Sequence, residues 1–184
     1  MIYYHCSPVS GLKLLEPRKP KLFDKPERVY MATLMPMALM YGVQNYEYTY
    51  GYTPEGQIRF EEYFPDELAV LYKGKSASLS VCEPQSVETT WIPNEAVSEK
   101  PVLVLEEIRI PDVYEALLEQ ERLGNLMIRR YAEQSERMLV WVRKVEKEII
   151  LEKGLLESAG TRADYYHTYY PDSWEDAKRE QALK

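Results

Sequence analysis

One stretch of the chain, Arg28 to Gly42, constrains the fold most, because it predicts a strand followed at once by a helix. The run Val29–Ala32 is short, apolar and bounded by polar residues, which is typical of a buried strand. Thr33 is expected to cap the helix through its hydroxyl, and Pro36 is tolerated in the first helical turn. Gly42 suits the helix end. The chain is therefore expected to join sheet and helix tightly at this point.

This stretch places two tyrosines at defined positions, Tyr30 at the end of the strand and Tyr41 at the end of the helix. Rings held in this way can face each other across a slot that accepts a flat aromatic ligand by stacking. The alternative is that both rings are half-buried core residues, which is common for tyrosine.

The neighbouring segments add polar residues at the ends of other predicted strands. Met1–His5 predicts a first strand, with His5 at its end and Cys6 and Ser7 directly after it. Leu79–Cys82 predicts a later strand that runs into Glu-Pro. A glutamate-rich loop is expected from Gln85 to Glu99, before a strand from Pro101 to Ile110.

In order and spacing, these segments resemble the ADP-ribosyltransferase fold family, in the branch with a His-Tyr-Glu triad. That branch includes poly(ADP-ribose) polymerases and the rifampicin-inactivating bacterial transferases. The resemblance covers residues 1–110 and implies an α+β fold with a split, mostly antiparallel sheet. Residues 111–184 are expected to form a helical C-terminal extension packed on this core, so that the chain is a single domain overall.

The resemblance implies NAD-dependent ADP-ribosyl transfer, a glycosyl transfer in which NAD is the co-substrate and nicotinamide is released. It implies that nicotinamide stacks between Tyr30 and Tyr41, and that His5 hydrogen-bonds the adenosine ribose. Backbone groups of Cys6 and Ser7 would hold the nicotinamide amide. The acceptor, whether protein, small molecule or nucleic acid, stays open.

The acidic member of the triad is expected in the loop before the strand at 101–110. Glu95 is the first choice, because it follows Asn94 as in the Asn-Glu pair of the polymerases. Glu88 is the second choice, because the rifampicin-modifying branch has its acid soon after its Glu-Pro. A carboxylate here would stabilise positive charge on the ribose and polarise an incoming nucleophile. Either glutamate alone could equally be a solvated surface residue.

Two positions depart from the family pattern. The glycine after the family's histidine is Cys6 here, and the serine three positions before the closing tyrosine is Ala38. A catalytically inactive nucleotide- or protein-binding module is therefore an alternative. A third hypothesis is RNA 2′-phosphotransferase chemistry, but this needs several arginines around a phosphate, and the net charge of -7 weighs against it.

Two segments flank the predicted site. Leu12–Pro26 is basic and rich in proline, so it is either a solvated loop or a source of cations for the NAD pyrophosphate. Gln44–Pro65 predicts a hairpin with a turn at 54–57. Its alternating tyrosines are expected on one face, either packed on the core or shaping acceptor choice; they are Tyr46, Tyr48, Tyr50 and Tyr52.

The remaining segments predict mainly helices. A short helix is expected at Pro65–Leu71, with a strand and turn at 71–75, and a further helix from Asp112 to Gly124. Apolar residues at steps of three and four from Ile128 to Gly154 predict one long amphipathic helix. Its apolar stripe is expected to pack against the sheet, or alternatively against a second copy in a homodimer.

Composition limits the class of protein. Sixteen tyrosines beside three phenylalanines are unusual, and 184 residues suit one domain with a sizeable core. Cys6 and Cys82 are too few for a disulfide framework, which favours a reducing cytoplasm. No run approaches the ~20 apolar residues of a membrane helix. The scattered histidines and cysteines lack metal-ligand spacing, so no metal is expected.

Overall fold

The computed structural model describes residues 1–19 and 26–183, and it shows an α+β protein with two compact units. The first unit contains Met1–Phe60 and Leu68–Ile128. The second contains Glu61–Glu67 and the chain from Arg129 onward. The first unit thus extends beyond residue 110, the end of the predicted core.

Most strands of the first unit form a seven-stranded sheet in the order β2-β9-β6-β1-β3-β8-β7, antiparallel throughout. A smaller sheet has the order β10-β5-β4. The strands are β1 (Tyr3–Ser7), β2 (Leu14–Leu15), β3 (Val29–Ala32), β4 (Tyr50–Tyr52), β5 (Ile58–Glu61), β6 (Ala77–Cys82), β7 (Glu88–Thr89), β8 (Glu95–Ser98), β9 (Val102–Ile110) and β10 (Leu126–Arg129).

Helices follow or separate these strands. They are α1 (Met35–Tyr41), α2 (Glu67–Tyr72), α3 (Val113–Arg122), α4 (Glu136–Glu152), α5 (Thr161–Tyr169) and α6 (Pro171–Gln181), with short 3-10 segments at Tyr131–Glu133 and Leu155–Glu157. No helix in the described part of the chain is both long enough and apolar enough to span a membrane.

The sheet register brings the predicted site strands side by side. β1 pairs with β3, where Tyr4 lies opposite Ala32, and β3 pairs with β8, where Ala32 lies opposite Glu95. Alternate residues of these strands bury one face in an apolar cluster that includes Tyr3, Met31 and Ala96. Tyr30 and Glu95 alternate with these cluster residues along β3 and β8, whereas His5 shares the alternation of Tyr3 along β1.

The strand at Val29–Ala32 and the helix ending at Tyr41 are confirmed. The predicted cap is wrong: the N-cap is Leu34, which provides no side-chain hydrogen bond. The Thr33 hydroxyl instead donates to Asn94 Oδ1 at 3.0 Å, and the Thr33 N–H donates to the Asn94 carbonyl at 2.9 Å. A tertiary partner has therefore taken the group that would have capped the helix.

The hairpin and its turn are confirmed, but β4 and β5 are shorter than predicted, and Tyr46 and Tyr48 lie before β4. The predicted strand at 71–75 is wrong, because α2 continues through Tyr72. The segment Gln85–Glu99 is not only a loop, since it contains β7 and β8.

The predicted long helix is also shorter than expected. Ile128 belongs to β10 and Tyr131 to a 3-10 segment, and α4 begins only after Ser135, whose hydroxyl accepts from the Met138 N–H at 3.2 Å. Within the second unit, α4 packs on α6, and Arg143 Nε donates to Asp176 at 2.6 Å.

Candidate functional site

The first unit contains an open cavity of about 830 Å³, within the range of about 300–1,000 Å³ that is usual for ligand pockets. Its walls come from β1, β2, β3, α1, β4 and the turn before β8. The lining includes six of the predicted site residues: His5, Cys6, Ser7, Tyr30, Tyr41 and Glu95. Residues far apart in the sequence are thus brought to one concave surface.

His5 lies in the middle of β1 and not at its end as predicted, because the strand continues through Cys6 and Ser7; it is anchored to the neighbouring strand. Its Nδ1 lies 2.8 Å from the Tyr30 carbonyl oxygen, and because a carbonyl only accepts, Nδ1 carries the proton. Burial lowers the pKa of His5, and the charge of Arg18 lowers it further, although the hydrogen bond to Tyr30 opposes these effects. The ring is therefore neutral near pH ~7, with Nε2 available as a hydrogen-bond acceptor.

The two predicted stacking residues line the same cavity, and both are half-buried. The Tyr30 hydroxyl donates to the Pro26 carbonyl at 3.0 Å. The Tyr41 hydroxyl shares a hydrogen bond of 2.6 Å with the hydroxyl of Tyr50. Burial raises the pKa of both Tyr30 and Tyr41, and the negative charge of Glu95 raises it further. Both rings are therefore neutral and lie within the field of the Glu95 carboxylate.

Glu95 is the first residue of β8 and is only 5% exposed. The Thr90 hydroxyl donates to Glu95 Oε1 at 2.8 Å and accepts from the Ile92 N–H at 3.1 Å. The Glu95 N–H in turn donates to the Ile92 carbonyl at 3.2 Å. Asn94 makes this compact turn possible by adopting a left-handed conformation, φ 64°, which asparagine tolerates better than most residues. The turn fixes the direction of the carboxylate.

Glu88, the second choice for the acid, lies elsewhere. Its side chain is 62% exposed on β7 and pairs with Arg28 at 3.3 Å. Arg28 also donates to Glu99 at 2.9 Å. Glu88 is not among the residues that line the cavity. The structure therefore brings Glu95, and not Glu88, to the cavity that His5 lines.

Cys6, which stands where the resemblance leads one to expect glycine, is buried, and burial raises the pKa of its thiol to about 12. The thiol is therefore protonated and a poor nucleophile. Its Sγ packs on Gly42 at the end of α1, where a Cβ on residue 42 would overlap with it. Ala38, the other departure, is also buried and lines the cavity.

Several residues at the site were not predicted as site residues. Thr90 is not among the lining residues but orients Glu95, and it stands in no motif that would reveal it. Trp91, in the same turn, is 88% exposed at the cavity rim. Glu47 also lines the cavity. The alternation of tyrosines in the sequence could have identified part of the lining, because Tyr48, Tyr50 and Tyr52 all line the cavity.

The basic loop contributes in part. Arg18 and Lys19 line the cavity, whereas Lys13 is not among the lining residues. Lys21 and Lys25 lie outside the described residues.

No known protein family matches the chain, and no curated protein is significantly similar to it. Its function is therefore inferred from the geometry and chemistry of the cavity.

Proposed function

We propose that the protein transfers ADP-ribose from NAD to an acceptor and releases nicotinamide. One observation carries the proposal: His5, Tyr30, Tyr41 and Glu95, which come from four separate elements, line a single cavity. A neutral imidazole, two aromatic rings and a buried carboxylate are the groups that the resemblance to ADP-ribosyltransferases assigns to this reaction.

The cavity offers partners for each part of NAD. Tyr30 and Tyr41 supply aromatic surfaces for the nicotinamide ring. His5 Nε2 supplies an acceptor for a ribose hydroxyl. Arg18 and Lys19 supply positive charge for the pyrophosphate. The volume of about 830 Å³ is in the range of pockets that enclose ligands of this size class.

Glu95 is assigned the chemical role in this proposal. The bond between ribose C1′ and the nicotinamide nitrogen breaks, and its electron pair neutralises the pyridinium. An acceptor nucleophile bonds to C1′ and gives its proton to Glu95 as general base. Positive charge develops on the ribose meanwhile, and a buried carboxylate stabilises it more strongly than an exposed one would.

The two departures from the family pattern do not remove these groups. The Cys6 side chain packs on Gly42, and Cys6 still lines the cavity. Ala38 lacks the hydroxyl that the family's serine would offer, so weaker binding of the nicotinamide amide is expected. A protein that binds NAD without cleaving it is the alternative that these departures favour.

The test is release of nicotinamide from NAD by the purified protein. Glu95→Gln keeps the shape of the side chain and removes its charge, and it should lower the rate by about 10²–10³-fold. Tyr30→Ala should raise the concentration of NAD needed for half-saturation. Glu88→Gln is the matched control, because Glu88 is an exposed glutamate outside the cavity lining, and it should leave the rate unchanged.

Each other result has a definite meaning. Loss of release in Glu88→Gln but not in Glu95→Gln would contradict the assignment of the acid. Saturable NAD binding that Tyr30→Ala abolishes, without any nicotinamide release, would support the binding module. Absence of NAD binding would refute both functions.

A further inference from the structure

The cavity is asymmetric in charge and in chemistry. Its basic residues, Arg18, Lys19 and Arg28, all belong to the segments around β2 and β3, where the carboxylate Glu16 also lines the cavity. A second set, here called the tyrosine cluster, consists of Tyr41, Tyr48, Tyr50 and Tyr52. Burial raises the pKa of Tyr41 and of Tyr50, and the charge of Glu95 raises both further, as it does for Tyr30 outside the cluster. Among the described lining residues, those from Ala38 to Tyr52 and from Trp91 to Glu95 include the carboxylates Glu47 and Glu95 and no lysine or arginine.

The rings of the tyrosine cluster are set at steep angles to one another. Tyr41 and Tyr48 have centroids 5.0 Å apart and planes at 67°. Tyr41 and Tyr50 are 6.1 Å apart at 87°, and Tyr50 and Tyr52 are 6.4 Å apart at 86°. Such rings form walls that face different directions rather than a stack.

The hydroxyls of the cluster are bonded within the protein. Tyr41 and Tyr50 bond to each other, Tyr48 donates to the Val43 carbonyl at 3.3 Å, and Tyr52 donates to the Pro93 carbonyl at 2.6 Å. These bonds fix the rings, so the cluster offers the cavity aromatic surface more than hydrogen-bond donors. Aromatic surface beside carboxylate is a favourable environment for a cation.

We infer that the tyrosine cluster, together with Glu95 and Glu47, is a subsite for an alkylated ammonium group. Both carboxylates line the cavity with the rings. The hydroxyls of Tyr41, Tyr50 and Tyr52 are engaged within the protein, so the cluster meets a bound cation mainly with its rings. An alkylated ammonium needs no hydrogen bonds and is attracted by ring faces and charge alone.

The subsite adds to the proposed function by naming a class of acceptor. The claim that the cation is part of the acceptor rests on that proposed function. The claim that an alkylated ammonium binds at the subsite does not. An acceptor with an alkylated ammonium would place its nucleophile beside Glu95, because Glu95 belongs both to this subsite and to the proposed catalytic group.

Binding is tested with choline and its neutral analogue 3,3-dimethylbutan-1-ol, which has the same shape without the charge. Titration calorimetry or NMR on the full chain should show saturable choline binding that is at least about threefold tighter than binding of the analogue. Equal affinity, or no saturable choline binding, would overturn the inference. Tighter binding of methylguanidinium than of choline would overturn the assignment to an alkylated ammonium.

Variants locate the site. Tyr48→Leu removes one ring and should weaken choline binding at least about threefold, whereas Tyr48→Phe keeps the ring and should not. Glu47→Gln should also weaken it. Tyr114→Leu is the matched control, since Tyr114 lies on α3 and is not among the cavity-lining residues. The comparison of choline with its analogue uses the unmodified protein, so the test survives a variant that fails to fold.

Saturating nicotinamide separates the subsite from the nicotinamide slot. Tyr41 belongs to both, so the acceptor role requires that choline and nicotinamide bind at the same time. Choline binding that persists at saturating nicotinamide is expected, and mutual exclusion of the two ligands would overturn the acceptor role. Choline binding without any nicotinamide release from NAD would uphold the cation site and count against the transferase. Nicotinamide release without choline binding would uphold the transferase and refute this inference alone.

Discussion

The contact between Cys6 and Gly42 decides whether the substitution Gly42→Ala raises or lowers the stability of the protein. Gly42 ends α1 with a right-handed backbone, φ −65°, ψ −15°, that any residue can adopt. On backbone grounds alone, Gly42→Ala should therefore stabilise the protein by about 0.4–1 kcal/mol. The added Cβ, however, would overlap with Cys6 Sγ and lie 3.2 Å from Cys6 Cβ and 3.1 Å from the Leu39 carbonyl oxygen.

The packing effect should outweigh the backbone effect. Adding a methyl group to a tightly packed interior costs about 1–3 kcal/mol, and both neighbours are held, Leu39 by its helix and Cys6 by β1. Gly42→Ala should thus lower the free energy of unfolding by about 1–2 kcal/mol. Urea denaturation followed by circular dichroism measures this as a lower midpoint at an unchanged slope.

A double-mutant cycle isolates the cause. Cys6→Ala removes the Sγ that the new methyl group would meet, so Gly42→Ala should cost less, or nothing, in that background. A favourable coupling of at least about 1 kcal/mol between the two substitutions is expected. If Gly42→Ala is as stable as the unmodified protein, or if Cys6→Ala does not rescue it, the Cys6 side chain does not pack on Gly42 as described.

Two further predictions concern Thr90 and His5. Thr90→Val removes the hydroxyl that bonds Glu95 Oε1 and should lower the free energy of unfolding, measured by urea denaturation, by about 1–3 kcal/mol. Thr90→Ser keeps a hydroxyl and should keep most of that stability, so equal losses in the two variants would contradict the hydrogen bond. Because burial lowers the pKa of His5 below 6.5, the unfolded chain binds a proton there before the folded one does, so His5 should make stability fall as the pH drops through about 6.5. His5→Asn, which can still donate to Tyr30, should reduce that fall between about pH 7.5 and pH 5.5, and an unchanged pH dependence would contradict a buried neutral ring.

The parts of the site set by local sequence were predictable. Val29–Ala32 and the helix ending at Tyr41 follow from an apolar run, a proline and a glycine within one stretch. The convergence of Tyr30, Tyr41 and Glu95 on one cavity was expected from the order of motifs. The assignment of that cavity to NAD remains a prediction.

The parts set by tertiary contacts were not predictable in the same way. Thr33 leaves the helix cap for Asn94, and Thr90 reaches Glu95 only because the turn between them is compact. No local pattern distinguishes these threonines from ordinary surface residues. Their roles depend on partners that the chain brings near only after the sheet has formed.

The start of α4 shows why a periodic pattern alone misleads. Leu126 and Ile128 are buried alternately along β10, yet Ile128 also continues the three-and-four spacing of the helix that follows. One apolar residue can satisfy either period. The serine cap at Ser135 is the feature that marks the true beginning.

The division of the chain has a consequence for how the protein can be dissected or recombined. The second unit is built from two separate pieces of sequence, so no single cut releases it. A chain that ends after Ile128 would keep every described residue of the cavity lining, but it would also keep residues 61–67 without the rest of the second unit. Phe64 in that piece would lose the stacked ring of Tyr169, 4.4 Å away, and become an exposed apolar residue. The two units are therefore expected to be inherited, expressed and engineered together, because Glu61–Glu67 belongs to the second unit but lies in sequence between the two pieces of the first.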